Sequence, residues 1–341
     1  MKAQFSTADN LPINGLASAV LQGARNVADL RAATPLPPHA QELIDDSIVQ
    51  VQLNKLQLVE DLLVEGLVKP LPNWLGVPTI FQRRQGRAGQ AKRTMVPNTR
   101  GERQVIDEDG ITIPIYVTWD DFSFDVRTIA AGNRAGYDID TSHVQGATRN
   151  VNEAIEDQGI NGLTDEDGNL VKIAGHQARG LLNAPNVNTY QYLGGATGRA
   201  WDDATKTGEH ILADTNDMME AAGASNYTGP YNLYINRAYG YKLNEDYKSA
   251  TSGTIRARLE ELEAGGRNLR IRVVDNMPAD RVALVQMTSN VIDLIDGQRP
   301  ANVGWEDLAG FEMFSLVMAC MVVRVKDDYD GGSGIVVGNV T

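Results

Sequence analysis

Between residues 39 and 65 apolar side chains return at steps of three and four: Ile44, Ile48, Val51, Val59, Leu62 and Leu63, with Lys55 the one polar member of the series. That period marks one face of an α-helix. Pro35, Pro37 and Pro38 stand before it and Gly66 after it, the punctuation expected at helix ends. Asp45, Asp46, Glu60 and Asp61 fall on its other side. A second long helix is predicted from Ser142, where Gln145 three residues later completes a capping box. Its stripe is Val144, Ala147, Val151, Ala154 and Ile155, its stop Gly162, and Arg149, Glu153, Glu156 and Asp157 take the remaining faces. Shorter helices are predicted over 202–222, with Ile211, Leu212, Met218 and Met219 inward, over 237–247, and over 254–263 before Gly265 and Gly266.

Elsewhere the residues favour strands. Prolines exclude a helix over 68–78, and 79–84 suits a strand. A turn-rich stretch marked by Gly86, Gly89, Pro97 and Gly101 follows, then a predicted turn at 107–110. The run ITIPIYVTWDDFSFDV is rich in β-branched and aromatic residues and reads as one long strand. Residues 77–118 therefore form an outsized β-hairpin whose tip is too charged for a core, and a loop that long is usually functional. A tighter hairpin is expected around Asp167 and Gly168. LRIRVV, RVALVQMT, NVIDLID, MFSLVMACMVVRVK and GIVVGNV supply the later strands, so the fold class is α+β.

Charge sharpens this picture. Between residues 82 and 103 lie Arg83, Arg84, Arg87, Lys92, Arg93, Arg100 and Arg103, against the single anion Glu102. This segment carries +6 in a chain of net charge −13, which leaves −19 on the rest. An acidic body disfavours wrapping by nucleic acid, and the basic tip has no interleaved aromatics on which bases could stack. Docking of the tip on an acidic surface of another copy is the favoured reading, against the plain one of a solvated charge run. No segment reaches the ~18 apolar residues of a membrane helix, and MKAQFSTADNLPINGL lacks the apolar centre of a signal peptide.

Candidate chemistry is sparse. The four histidines, His39, His143, His176 and His210, have no metal-ligand spacing, and the one cysteine, Cys320, sits in an apolar run that predicts an inert buried thiol. The glycine clusters at 194–198 and 331–334 lack the Lys-Ser/Thr and the spacing of phosphate or nucleophile loops. The acidic turns at 107–110 and 165–169 lack a calcium loop's pattern. No catalytic, cofactor or metal residue is therefore expected.

The order of segments carries a resemblance. An arm with a helix and a basic hairpin lead into IPIYVTWDDFSFDVRTI and DTSHVQGATRNVNEAIEDQGINGL. ARGLLNAP, WDDATKTGEHILADTNDMMEAAG and GPYNLYINRAYGYKLNEDY follow. This succession resembles the major capsid proteins of tailed phages, of the Hong Kong 97 fold, and their relatives the encapsulins. The resemblance implies an arm and helix over 1–76, an extended hairpin (E-loop) over 77–118, a peripheral domain with a long spine helix over 119–200, an axial domain over 201–287, and return strands of the peripheral domain over 288–341. It implies self-assembly through hexamers and pentamers into an icosahedral shell around phage double-stranded DNA, held non-specifically. Such a virion capsid assembles in the bacterial host cytoplasm, with scaffold, portal and decoration proteins as further partners and no membrane. Arg83, Arg84, Arg87, Lys92, Arg93, Arg100 and Arg103 would then contact a neighbour's Glu153, Glu156 and Asp157, or the acids of its N-terminal helix. The alternatives are an encapsulin-type compartment holding enzyme cargo, and a soluble α+β enzyme or ligand binder.

Overall fold

The computed structural model describes residues 57–85, 108–125, 127, 142–165, 167–191, 200–248, 251–306, 312–329 and 331–339. In chain order the elements are α1 (Gln57–Val64), β1 (Val68–Pro70), β2 (Thr79–Gln85), β3 (Glu108–Pro114), β4 (Thr118–Asp125), α2 (Ser142–Asn161), β5 (Lys172–Ile173), β6 (His176–Gln177) and β7 (Asn188–Gln191). Then come α3 (Gly208–Ala224), β8 (Tyr231–Ile235), α4 (Arg237–Lys242), β9 (Asp246–Lys248), β10 (Thr251–Thr254) and α5 (Ile255–Glu260). The chain ends through β11 (Glu263–Ala264), β12 (Arg267–Asn268), β13 (Arg270–Val273), β14 (Arg281–Gln286), β15 (Ile292–Glu306), β16 (Glu312–Val325) and β17 (Ile335–Asn339).

Two sheets organise these elements. The first has the order β1-β15-β16-β4 and the second the order β13-β8-β14-β17-β7. Their inner strands bury apolar residues on two faces, which is why β14 and β16 read as long apolar runs. In the second sheet Tyr234, Ala283, Val285, Ile335 and Val337 enter one core with α1 and α2. The alternate residues Leu233, Ile235, Val282, Leu284 and Val336 enter another with Ile211 and Met218 of α3 and Leu259 of α5. In β16, Val317, Ala319, Met321 and Val323 join the α2 side. Met318, Cys320 and Val322 face the opposite way, onto Trp74 and Ile115.

The helices follow local signals closely. In α1, Leu58, Val59 and Leu62 are buried, each such burial contributing about 2 kcal/mol. Its end is a Schellman turn: Leu67 N–H donates to Leu62 O (2.8 Å) and Gly66 N–H to Leu63 O (3.2 Å), with Gly66 at φ +71°. The part of the predicted first helix before residue 57 lies outside the described residues. In α2, Val144, Ala147, Val151 and Ile155 are buried as the stripe requires. The segment after α2 folds back tightly: a Cβ on Gly180 would meet Gly162 N at 2.3 Å and Ile160 O at 2.7 Å. α3 begins at Gly208, later than the predicted start at 202, capped by Thr207.

Two expectations need correction. Residues 108–110 are not a turn; they continue β3, with Gly110 opposite Arg83 and Asp109 opposite Arg84. The long predicted strand is two strands, β3 and β4, broken over 115–117 and assigned to different sheets. The last strand, β17, pairs with β14 and β7, so both β7 and β17 complete the second sheet. The physical reason is packing, since Val336 fills one core and Ile335 and Val337 the other.

Candidate assembly surface

The hairpin of β2 and β3 alternates between a face turned to its own subunit and a face turned to solvent. Ile80, Gln82 and Arg84 lie opposite Ile113, Ile111 and Asp109 on the inward side. Ile80 and Ile113 pack against the cluster around Trp74 and Cys320. Phe81 is 63% exposed on the outward side, and Arg83 beside it is exposed with Glu108 at 3.7 Å.

Arg84 behaves differently from Arg83. Its Nη1 donates to Asp327 Oδ2 and its Nη2 to Asp109 Oδ2, both at 2.8 Å. Asn186 Nδ2 donates to the same Asp327 oxygen at 2.7 Å. Burial pushes the Asp327 carboxyl above its ordinary pKa, and the Arg84 and Asn186 contacts offset this only in part. Arg84 thus pins the hairpin root to its own body. Arg87, Lys92, Arg93, Arg100 and Arg103 lie outside the described residues.

The expected acidic acceptors also divide. Glu153 is exposed on α2, and Asp157 is half-buried, accepting from Asn161 Nδ2 at 2.8 Å. Glu156, placed among the acceptors by sequence, is instead 3% exposed. Its Oε1 accepts from Leu58 N–H at 2.8 Å, so a residue 98 positions away caps α1. Burial raises its pKa to about 7; the amides of Leu58, Val59 and Gln57 pull it down and Asp61 pushes it up. The buried face of α2 is wider than its apolar stripe and includes Thr148, Asn152 and Glu156. The spacing of four between Asn152 and Glu156 was the available signal.

Of the acids of α1, Glu60 is exposed and Asp61 is engaged internally, as is Glu65 just after the helix. Asp61 is buried, 2.7 Å from Arg272 Nη2, and accepts from the Tyr234 hydroxyl at 3.0 Å. Glu65 receives Arg267 and Arg270. These pairs clamp α1 and the residue after it to β12, β13 and β8. Across β15 and β16, Asp293 faces Arg324 in register and accepts from it, with Lys326 Nζ at 2.7 Å. Burial raises the Asp293 pKa, but the Arg324 and Lys326 hydrogen bonds outweigh it and hold the carboxyl below its usual range.

A cleft of about 650 Å³ opens beside the hairpin root, between Arg83, Tyr227, Asn290 and Asp328. Arg84, Arg324 and Lys326 also line it, but each is already paired with Asp327 or Asp293. Among the described residues no group of three His, Cys, Asp or Glu could hold a metal ion. Cys320 is buried and its thiol pKa is pushed up to about 12, by burial first and Asp296 second. Among the described residues no helix is long and apolar enough to cross a membrane.

Comparisons with known proteins agree on the fold. A family model described as "Family of unknown function (DUF6260)" matches residues 31–338. No curated protein matches the chain. Among solved structures, a virus-like particle from Pyrococcus furiosus is similar, with TM-score 0.60 and 17% identity over 87% of this chain and 98% of that one. The capsid of Myoviridae phage XM1 is similar at TM-score 0.58 and 11% identity, over 77% of this chain and 86% of that one. The capsid of a native GTA particle follows at TM-score 0.54 and 16% identity, over 82% and 90%.

Proposed function

From the premise that the chain belongs to the family of unknown function DUF6260 and has the Hong Kong 97 fold, we propose that it is a structural protein that assembles with copies of itself into a closed shell. The observation that carries this reading is that nearly the whole fold, and not one motif, is shared with the shells of two particles and a capsid. A subunit of this kind grips neighbours with extensions. The hairpin fits that role, because its root is fixed by Arg84 while Phe81 and Arg83 remain exposed on its outer face. Modest contacts suffice when each is repeated many times over a shell.

The finer reading is a major capsid protein of a virion, in hexamers and pentamers around double-stranded DNA, assembled in the bacterial cytoplasm with scaffold, portal and decoration proteins. Arg83 and the cations of the hairpin tip would meet anions on the next subunit. The likeness to a virus-like particle supports a second reading, a compartment shell that holds protein cargo. Light scattering and negative-stain imaging of the recombinant chain test the shell itself. Closed particles are expected, and a species that stays monomeric with scaffold or crowding present would refute it. Nuclease-protected DNA inside particles from the native host supports the virion; protein cargo without DNA supports the compartment.

A further inference from the structure

Beneath α3 lies an ion pair to which the shell reading gives no role. Lys206 and Asp214 are both buried, with 0% and 2% of their side chains exposed, and Lys206 Nζ lies 2.7 Å from Asp214 Oδ2. Trp201 Nε1 donates to the same oxygen at 2.9 Å. Asp214 stands between Ile211 and Met218 on the buried face of α3, in a core that also holds Trp201 and Tyr239 with their rings 5.7 Å apart. The backbone under both partners is fixed. Asp214 sits in the second turn of the helix, while Lys206 N–H donates to Asp203 O at 3.0 Å, one residue before the cap Thr207.

Such a pair is costly, because two charges have left water and their attraction repays that only in excellent geometry. Burial lifts the Asp214 carboxyl above its ordinary pKa; Lys206 and Trp201 pull it back only in part, and Asp217 adds to the rise. A proton passed from the ammonium to the carboxylate leaves a neutral amine touching a neutral acid, the two reactants of an amide condensation. From the 2.7 Å contact, Nζ needs only a small swing to reach Cγ at the roughly 3–3.5 Å from which addition starts. We propose that Lys206 and Asp214 condense into an intrachain isopeptide bond that staples the segment entering α3 to the helix itself. The amine lone pair adds to Cγ while the Trp201 N–H stabilises the negative charge growing on Oδ2. A proton then moves from nitrogen to the Oδ1 hydroxyl, the Cγ–Oδ1 bond breaks and water leaves. No electrons are exchanged with a second reactant. One neutral amide replaces two buried charges, which is the driving force. The bond lies within a single subunit, so the inference holds or fails independently of the shell reading.

The test is the intact mass of the full wild-type chain, denatured after prolonged incubation in its folded state. The chain should be lighter than its sequence requires by one water, and fragmentation should find a branched link joining Lys206 to Asp214. Boiling in denaturant should leave that link in place, whereas an ion pair would dissolve. Lys206→Arg keeps the cation without an amine nucleophile and should retain its full mass. Because the deciding readout is the mass of the wild-type polypeptide, no variant has to fold for the inference to fail. A wild-type chain that stays at full mass overturns it. So does a lost water that maps elsewhere, as at the Asp109–Gly110 or Asp167–Gly168 steps, or one that persists in the K206R chain.

Discussion

Glu156 makes the subunit's stability depend on pH in a direction opposite to that of an ordinary salt-bridged carboxylate. Its pKa rises from an ordinary 4.5 to about 7 on folding. Between these values the folded chain holds a proton that the unfolded chain has lost. Stability is then fully present below about pH 4.5 and falls as the pH rises through 7. The gap corresponds to roughly 3 kcal/mol. Glu156→Gln keeps the shape and an acceptor for Leu58 N–H but cannot ionise. Relative to wild type the variant should gain little at pH 4.5 and up to about 3 kcal/mol at pH 8. Urea unfolding of the unassembled full chain at both values measures the difference. Asp214 and Asp327 also have raised pKa values, but they are common to both chains and cancel. A wild-type-to-variant difference that stays constant from pH 4.5 to 8 would refute the reasoning.

Other substitutions probe other parts of the structure. Asp293→Ala strands the buried Arg324 guanidinium and should cost about 3–5 kcal/mol in thermal or urea unfolding; a loss below about 1 kcal/mol would show that the pair is solvated. Gly180→Ala, whose Cβ meets backbone at 2.3 Å, should abolish soluble folding. Gly146→Ala, in α2 with nothing within 4 Å of its Cβ, should stabilise by about 0.5–1 kcal/mol. Arg84→Glu should lower the subunit's melting temperature by facing the buried Asp327, while Arg83→Glu should leave melting unchanged and weaken assembly alone.

Helix positions were legible because their signals are short-range. The stripe Val144, Ala147, Val151 and Ile155 is buried as spaced, and Gly66 and Gly162 end their helices at positive φ. The same holds for the strand at 281–286, whose central apolar run reflects burial on both sheet faces, and for the strand at 231–235, which is buried throughout although it includes Asn232. The hairpin was legible as a shape, but not which of its adjacent arginines was tied to the body of the subunit. Arg83 and Arg84 differ only in strand parity, and parity gains meaning from what lies opposite: solvent for one, Asp327 for the other.

The sequence alone determined the α+β class, the order of elements and the segregation of charge into one basic segment, because periodicity, turn chemistry and composition act between near neighbours. Only the tertiary structure decided that Glu156 caps a helix 98 residues away, that β17 joins the second sheet, and that Trp119, Asp121 and Asp125 share the exposed row of β4. Those outcomes depend on which surfaces meet across the fold. Burial and pairing between distant segments are set by packing geometry, which no local window of residues contains.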